Sequence, residues 1–384
     1  MAKRARIGLI FSYDEDWIAG AYYILNIIHA LKTVEDGKQP HIVILSEKEE
    51  NYKVVVSETN YPHLSFFKFG TWKPFTLKER IINKLGRVLL KRKMIEQKIE
   101  QPKINFLYPH QVESVQVEGL AKVNWIPDFQ EEFLPHFFSK EEVGHRKKYQ
   151  NDIVCKGDIV VFSSKNAQTH YNKLYPLSKA KQFVLPFAVT HLDYSKQKID
   201  LLLEKYDLPT KYFFAPNQFW AHKNHRLILE AVKKLKDEEQ EVTVAFSGKE
   251  NDYRNLEYVG ELKNYVMNND LEKNIKFLGF IDRTEQLCIM KNAVAVVQSS
   301  LFEGWSTVVE DAKASGKYIV LSNLEIHKEQ VSESVSFFNP KNATELSEIL
   351  KSVFLEMPEV NRKPYKTNIQ EFGNLFLELI ETAK

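Results

Sequence analysis

The sequence predicts two α/β domains, each built around a doubly wound parallel sheet. The prediction rests on a length of 384 residues, a succession of short apolar runs, and amphipathic stretches between those runs. A chain of this length can form two hydrophobic cores. Continuous apolar runs are typical of parallel strands that are buried on both faces. Helical stretches that alternate with such strands favour a doubly wound fold.

The candidate strands are apolar runs that end in polar or turn residues. In the first half of the chain they are 6–12, 41–46, 104–109, 122–128, 158–163 and 182–187. In the second half they are 211–217, 242–248, 274–280, 293–300, 317–322 and 334–339.

Candidate helices lie between these strands and at the end of the chain. Residues 22–34, 224–239 and 368–384 carry apolar side chains at helical spacing. The boundary between the two domains is expected near 187–200. Ligands of such folds bind at the carboxyl ends of the strands, so two facing Rossmann-like domains predict a cleft between them.

Bulk composition excludes several classes of protein. The hydrophobic fraction of 43% and charged fraction of 27% are ordinary for a globular protein, and a net charge of +2 gives no indication of nucleic-acid binding. Cys155 and Cys288 have no ligand spacing, which disfavours a disulfide framework or zinc site and favours a reducing compartment. Residues 1–16 indicate a first strand rather than a signal peptide. No apolar run is long enough to span a membrane.

The loop after strand 211–217 holds a candidate phosphate contact. Lys223 lies between the strand end at Asn217 and a helix that is expected to begin with Asn224 as N-cap. A lysine ammonium beside the free N–H groups of a helix N-terminus can bind the same phosphate as those groups. A solvated loop lysine is the alternative, and the flanking histidines bring the two interpretations close to parity.

Three carboxylates surround a second predicted helix start. Thr307 and Glu310 match a capping box, which gives Glu310 a structural role. Glu303 precedes the helix, where its carboxylate is suited to accept hydrogen bonds from sugar hydroxyls. Asp311 lies in the first full turn, and Ser306 with the first helical N–H groups forms a second anion site. Complementing the helix dipole is an alternative role for Asp311, but it does not account for Glu303.

At this point several stretches resemble one enzyme family. The stretch 302–317, "FEGWSTVVEDAKASGK", resembles the E-x7-E motif of retaining GT-B glycosyltransferases of family 4, the glycogen-synthase-like and mannosyltransferase-like group. The stretch 216–225, "PNQFWAHKNH", resembles that family's Arg/Lys loop, and 274–293 resembles the segment that packs on the donor base. Residues 8–31 resemble its opening strand and Gly-rich loop. The likeness is strongest from 211 to 330.

The resemblance implies a domain organisation and an activity. Residues 1–190 would form an N-terminal acceptor-side domain, 191–364 a nucleotide-sugar-binding domain, and 365–384 a C-terminal helix, with packing back on the N-terminal domain as one option. The protein would move a sugar from a nucleotide-sugar to a glycan or lipid-linked acceptor with retention, in bacterial-type surface polysaccharide or glycoconjugate synthesis. No cofactor and no metal are expected, and the chain has no Asp-x-Asp motif.

The resemblance also implies roles for individual residues. Glu303 would stabilise positive charge on the donor sugar, Lys223 would neutralise the diphosphate leaving group, and Asp128 would contact the acceptor or the sugar. Asp311 would contact the ribose, Phe280 and Ile281 would line the base pocket, and Gly20 would lie in a loop that approaches the phosphates. The full donor-binding set is Gly20, Asn217, Gln218, His222, Lys223, Phe280, Ile281, Glu303, Gly304, Trp305, Ser306, Thr307 and Asp311.

The chain departs from the family pattern at three positions. Asp311 stands where a glutamate is usual, and Gln218 stands where an arginine is usual, with His222 as a candidate for compensation. Pro127-Asp128 replaces a His-Asp pair. These departures keep open a catalytically inactive nucleotide- or carbohydrate-binding protein. A GT-B sugar phosphorylase with a pyridoxal-phosphate lysine is a further alternative, whereas the lack of a G-x-G-x-x-G after the first strand disfavours a dinucleotide oxidoreductase.

Residues 78–98 form a strongly basic stretch. It has eight Lys/Arg against two Glu, interleaved with apolar residues. One interpretation is a helix on an anionic membrane surface near a lipid-linked acceptor, which would make the protein cytoplasmic and peripheral at the inner face of the membrane. A surface helix whose apolar face packs on the N-terminal domain is an equally good interpretation.

Overall fold

A computed structural model describes residues 4–13, 18–70, 73–90, 92–96, 99–110, 117 and 119–384. The chain divides into two compact units. The first unit comprises Met1–Trp125, Gly157–Val160 and Gly373–Lys384, and the second comprises Ile126–Lys156 and Val161–Phe372.

The first unit contains a four-stranded sheet with the order β3-β2-β1-β4. Its strands pair in parallel, so that Gly8 of β1 lies opposite Val43 of β2 and Leu107 of β4. Their bounds are β1 (Arg6–Ile10), β2 (His41–Ser46), β3 (Leu64–Lys68) and β4 (Phe106–Tyr108). The helices of this part of the chain are α1 (Ile18–Lys32), α2 (Glu49–Thr59) and α3 (Leu77–Leu90). Helix α1 packs a fully buried apolar face that includes Ile27, Ile28 and Leu31.

Helix α3 exposes its apolar face. Leu77, Ile81, Leu85 and Val88 are 80%, 54%, 53% and 72% exposed. The alternative that this face packs on the N-terminal domain is therefore wrong. At about 100° per residue, these four side chains span one side of the helix, whereas the polar Asn83 lies on the buried side.

The buried side of α3 is fixed by a returning segment. The Asn83 amide oxygen accepts hydrogen bonds from the backbone N–H groups of Met94 and Ile95, at 2.9 and 2.7 Å. A Cβ on Gly86 would lie 2.3 Å from Cγ of Met94. The basic helix expected over 78–98 therefore covers only part of that stretch: it ends at Leu90, and Met94 and Ile95 instead contact the buried Asn83 side chain. Within that stretch, Lys91, Gln97 and Lys98 lie outside the described residues.

A three-stranded sheet with the order β5-β6-β7 follows in the chain. Its strands are β5 (Val123–Ile126), β6 (Ile159–Phe162) and β7 (Lys181–Val184). The helices along this stretch are α4 (Gln130–Phe133), α5 (Lys140–Lys156) and α6 (Lys165–Leu174).

The second unit contains a six-stranded sheet with the order β10-β9-β8-β11-β12-β13, paired in parallel. From β8 the chain adds strands in one direction, and from β11 it adds them in the other. The strands are β8 (Phe213–Ala215), β9 (Val244–Phe246), β10 (Ile275–Phe277), β11 (Val296–Gln298), β12 (Ile319–Ser322) and β13 (Val335–Phe338). In open α/β sheets, ligands bind where the strand order reverses, here at the carboxyl ends of β8 and β11.

Helices cover this sheet and form its two hydrophobic cores. They are α7 (Ile199–Lys205), α8 (His225–Asp237), α9 (Tyr258–Asn268), α10 (Arg283–Asn292), α11 (Thr307–Ala314), α12 (Glu325–Gln330) and α13 (Ala343–Leu355). The last helix, α14 (Lys366–Thr382), begins in the second unit and ends in the first. In the first unit, its Phe376 ring lies 5.9 Å from Phe106 and 5.6 Å from Tyr108.

The predicted α/β class with parallel sheets is confirmed, and all twelve candidate strands are present. The sequence prediction missed β3, an edge strand in which Ser65 and Lys68 interrupt the apolar residues and no residue is fully buried. Among the described helices, none combines the length and apolar character needed to cross a membrane.

Candidate active site

Two loops meet where the sheet order reverses. The loop after β8 ends in a 3-10 turn, Ala221–Lys223, and the loop after β11 runs from Ser299 to Ser306. Asn224, in the left-handed region at φ 58°, is the residue before α8. Its amide donates to the carbonyl oxygens of Ser299 and Pro340, at 3.1 and 2.9 Å. Asn224 therefore occupies the expected cap position, but its side chain ties the loops together and does not cap the helix.

Lys223 and Glu303 form an ion pair across these loops. The Nζ–Oε1 distance is 2.6 Å, and the two side chains are 17% and 8% exposed. Gln298 Nε2 and Ser300 Oγ also donate to Oε1, at 2.7 and 2.6 Å. The hydrogen bonds of Glu303 within the described part of the chain all end on Oε1, so Oε2 is the oxygen left to meet a ligand.

The surroundings of Glu303 keep it ionised. Burial alone would raise the pKa of its carboxyl group, but the Lys223 ammonium, the hydrogen bond from Lys223 and other nearby groups together outweigh burial and lower this pKa to about 2. A buried carboxylate with several donors is stabilised in its charged form. At neutral pH, the Glu303 carboxylate is therefore a fixed negative charge beside the Lys223 side chain.

The start of α11 differs from the expected capping box. Ser306, not Thr307, is the N-cap, and its side chain accepts from the N–H of Val309 at 3.4 Å. Glu310 therefore lies one position too far along the helix to complete a box. Its carboxylate instead contacts Lys313 at 2.8 Å and Gln330 at 2.9 Å. The structural role predicted for Glu310 remains, with different partners.

Gly304 brings the loop after β11 against Asp128. A Cβ at position 304 would lie 2.5 Å from the carbonyl oxygen of Pro127 and 2.7 Å from Cβ of Asp128. Burial raises the pKa of the Asp128 carboxyl, although Arg146, 3.8 Å away, opposes this shift. The structure thus places three of the predicted residues, Asp128, Glu303 and Lys223, in one region of the second unit.

Asp311 is covered by other side chains. Its Oδ1 accepts from Arg283 Nη2 at 2.6 Å and lies 3.2 Å from His191 Nε2. The Asp311 side chain is 2% exposed, whereas that of Arg283 is 19% exposed. Burial would raise the pKa of Asp311, but Arg283 and His191 hold it below its ordinary value. The sequence patterns did not single out Arg283, which is the first residue of α10. A cation directly after the helix cap Asp282, in the segment that follows β10, was a signal that could have marked it as a candidate site residue.

His222 does not supply the missing cation. Burial, followed by the neighbouring Lys223 charge, lowers the pKa of its imidazole well below the ordinary value, so the ring is neutral at physiological pH. Its Nδ1 and the amide oxygen of the nearby Asn217 are buried without a hydrogen-bond partner in the described structure. The prediction that His222 compensates for Gln218 is therefore wrong, because a neutral imidazole does not replace the positive charge of an arginine.

The other predicted donor-binding residues fall in several places. The Trp305 indole donates to the Phe187 carbonyl at 2.9 Å, which fixes the ring within the fold. Phe280 is 60% exposed, whereas Ile281 packs on the core of the second unit. Gly20 lies in the first turn of α1 and not in the preceding loop, because the helix already begins at Ile18.

Comparisons with known proteins give a family match to part of the chain and similar solved structures over nearly all of it. Residues 201–371 match the model of the family described as "Glycosyl transferases group 1". A glycosyltransferase from Rickettsia africae ESF-5 is similar with a TM-score of 0.65 at 14% identity, over 99% of this chain and 98% of that chain. HepE of Anabaena, solved with UDP and glucose, is similar with a TM-score of 0.64 at 14% identity, over 99% of this chain and 100% of that chain.

A third similar structure is a sucrose-phosphate synthase from Thermosynechococcus elongatus. Its TM-score is 0.58 at 12% identity, over 99% of this chain and 95% of that chain. No significant match was found among curated proteins. The structural matches establish the GT-B fold. With the family match over the second half of the chain, they support a GT-B glycosyltransferase.

Proposed function

We propose that the protein is a retaining glycosyltransferase that moves a sugar from a nucleotide-sugar to a saccharide or lipid-linked acceptor. The observation that carries this proposal is the Lys223–Glu303 pair at the carboxyl ends of β8 and β11, beside the start of α11. A buried cation, a buried carboxylate and a helix N-terminus match the charges that develop when a nucleoside diphosphate leaves a sugar. HepE was solved with UDP and glucose, which agrees with such a donor.

Lys223 stabilises the leaving group in this proposal. As the bond between the anomeric carbon and the diphosphate breaks, negative charge accumulates on the diphosphate. The Lys223 ammonium and the N–H groups at the start of α11 are preorganised donors for that charge. Lys223 then exchanges part of its contact with Glu303 for contact with phosphate oxygen, so the pair is ready to separate when the donor binds.

Glu303 acts on the sugar. Its Oε1 is held by Gln298 and Ser300 as well as by Lys223, so the carboxylate keeps its place when Lys223 turns to the phosphate. Oε2 then faces the sugar, whose anomeric carbon gains positive charge in the transition state. The acceptor hydroxyl attacks from the face that the diphosphate leaves, and its proton passes to the departing phosphate. Asp128 contacts the acceptor or the sugar beside Gly304.

We further propose that transfer proceeds without a metal, because Lys223 and helix N–H groups supply the positive charge at the leaving group. The acceptor belongs to bacterial-type surface polysaccharide or glycoconjugate synthesis, and the protein works in the cytoplasm. Retained activity in excess chelator is the expected result, and activity that is lost in chelator and restored by a divalent cation would contradict metal independence.

We also propose that α3 contacts an anionic membrane surface. Its apolar face is exposed, and Arg80, Lys84 and Arg87 lie together on an adjoining side. Apolar side chains that enter the lipid boundary and cations that meet anionic headgroups are the two components of interfacial binding. A second copy of the chain would bring like charges together at this helix, which favours lipid as the occupant.

The test of the activity is release of nucleoside diphosphate from a panel of nucleotide-sugars, without added acceptor. Wild-type protein is expected to hydrolyse one donor slowly, and Glu303→Gln is expected to lower turnover much more than donor affinity, because its contact strengthens in the transition state. Binding without turnover, with or without acceptor extracts, would instead indicate an inactive binding protein. Phosphate-dependent release of sugar phosphate would indicate a phosphorylase.

A further inference from the structure

The loop after β9 lies against the loop that carries Lys223. At the strand ends, a Cβ on Gly248 would lie 2.2 Å from the carbonyl oxygen of Asn217. Further along both loops, the backbone N–H of Ala221 donates to Oδ2 of Asp252 at 3.1 Å. The two loops are therefore in contact both where they leave the sheet and where the turn that presents Lys223 begins.

Asp252 caps this turn from a distant part of the chain. Ala221 is the first residue of the 3-10 turn, and the side chain of the preceding Trp220 makes no capping hydrogen bond. Asp252 lies 31 residues away, and its side chain is 2% exposed. A buried backbone N–H that loses its acceptor costs free energy, so the Asp252 carboxylate fixes the position at which the turn begins.

Arg254 holds the Asp252 carboxylate and contacts the turn as well. Its backbone N–H and its Nε both donate to Oδ1 of Asp252, at 3.0 and 3.3 Å, so the two carboxylate oxygens serve different partners. The guanidinium carbon lies 4.7 Å from the ring centre of Trp220 and 5.0 Å from that of Phe138. The Arg254 side chain is 8% exposed, so solvent screens the ion pair little.

The other end of the turn is held by the loop after β11. Ser299 Oγ donates to the carbonyl oxygen of Lys223 at 2.9 Å. The last carbonyl group of the turn thus meets the loop that carries Glu303, and its first N–H meets Asp252. In the proposed reaction the Lys223 ammonium leaves Glu303 for phosphate, so its backbone must be held by contacts other than that ion pair.

We propose that Asp252, supported by Arg254, is a positioning residue for Lys223. It holds the turn in place while the Lys223 ammonium moves from Glu303 to the diphosphate. This inference rests on the proposed function and adds a residue outside the two loops of the site. Asp252 does not touch the donor and acts only through Lys223. Its effect on the donor should therefore vanish when the Lys223 side chain is removed.

The test is calorimetric titration with the nucleoside diphosphate that wild-type protein binds best, in a double-mutant cycle with Lys223→Ala. Asp252→Asn keeps the size of the side chain, but its single acceptor oxygen does not replace two carboxylate oxygens. It should weaken binding about tenfold when Lys223 is present, the loss expected for one charge-assisted contact. In Lys223→Ala it should weaken binding by less than about twofold.

Turnover and stability provide two further measurements on the same variants. The kcat of donor hydrolysis should fall by a factor of up to about 100 in Asp252→Asn, because small misplacements of a reacting group have effects of that size. Urea unfolding reports stability separately. A role in stability alone would lower the free energy of unfolding and leave the affinity of the folded protein unchanged.

Asp158→Asn is the matched control. Asp158 Oδ2 also accepts a backbone N–H from a distant residue, Lys122, at 2.7 Å, but Asp158 directly precedes β6 at the amino end of that strand. This variant should leave nucleotide affinity unchanged with and without Lys223. Arg254→Lys carries the test if Asp252→Asn does not fold, because it keeps the charge and loses the planar group over Trp220. It should weaken binding only when Lys223 is present.

The outcomes separate this inference from the proposed function. Wild-type affinity in folded Asp252→Asn, or an equal loss with and without Lys223, overturns the inference and leaves the proposed function intact. Wild-type protein that binds no nucleoside diphosphate overturns both.

Discussion

Gly304 and Asp128 touch where the loop after β11 passes the segment after β5. A Cβ on residue 304 would lie 2.7 Å from Cβ of Asp128 and 2.5 Å from the preceding carbonyl oxygen. Both distances are too short for ordinary van der Waals contact, and one of the partners is backbone. Glycine is therefore required at position 304 for the loop that carries Glu303 to keep its place.

Gly304→Ala is expected to displace this loop. Turnover should fall by a factor on the order of 100, because small misplacements of a reacting group have effects of that size. The free energy of unfolding should fall by roughly 1–3 kcal/mol. Gly144→Ala is the control, since Gly144 lies within α5 with no atom within 4 Å of a new Cβ, and it should be neutral or slightly stabilising. Wild-type turnover in Gly304→Ala would show that the loop tolerates the shift.

Lys223→Ala is expected to remove the principal charge contact with the leaving group. Nucleoside diphosphate binding should weaken, and turnover should fall by a factor on the order of 100 or more. Lys313→Ala breaks a comparable buried pair with Glu310, in which the acid is 1% exposed. That control should lose stability without losing nucleotide affinity. Equal effects of the two substitutions on nucleotide affinity would remove Lys223 from the site.

The pKa of Glu303 predicts part of the acid sensitivity of the fold. The folded-state pKa of about 2 lies below the ordinary value of 4.5, so the ionised group stabilises the fold above about pH 4.5. This contribution is lost progressively as the pH falls from 4.5 toward 2. When the pH is lowered from about 6 to about 3.5, the free energy of unfolding should fall by roughly 1 kcal/mol more in wild-type protein than in Glu303→Gln. Urea unfolding at both pH values measures the difference, and parallel losses in the two proteins would contradict the assignment.

Polar substitution on the exposed face of α3 is expected to leave the fold intact. Leu85→Ser with Val88→Ser should change the free energy of unfolding by less than about 0.5 kcal/mol each, because both side chains are already exposed. Ile28 lies on the buried face of α1, so Ile28→Ser should lower the free energy of unfolding by more than roughly 2 kcal/mol. Thermal or urea unfolding compares them, and a large loss at Leu85 or Val88 would mean that the face is covered.

The same α3 variants test the membrane proposal. Co-sedimentation with anionic vesicles at low salt should be strong for wild-type protein and should weaken as salt screens the charges. The double serine variant should no longer co-sediment with the vesicles, and neither should the double variant Lys84→Glu with Arg87→Glu. Donor hydrolysis should be unchanged in both. Wild-type protein that ignores anionic vesicles at low salt would exclude lipid as the occupant, and concentration-dependent dimerisation through α3 would indicate a second copy.

The strands and the positions of the loops that carry Lys223 and Glu303 were predictable from local patterns. A strand buried on both faces is apolar along its whole length, so β1, β8 and β11 are visible in the sequence without knowledge of their neighbours. Glu303 and Lys223 follow such strands directly, and the carboxyl ends of parallel strands meet at one edge of a sheet. Their proximity therefore follows from the topology.

Other features depended on partners that are distant in the chain. Arg283 covers Asp311 from 28 residues away, and Asn83 is buried because the chain returns at Met94. The apolar spacing of α3 defines an amphipathic helix but does not say which of its faces is covered. Likewise, the sequence gives a glycine at 304, and only the fold brings Asp128 against it. Local composition determines which segments form strands and helices. Burial and contact are decided by packing between segments that are distant in the chain, and a local pattern carries no information about the free energy of that packing.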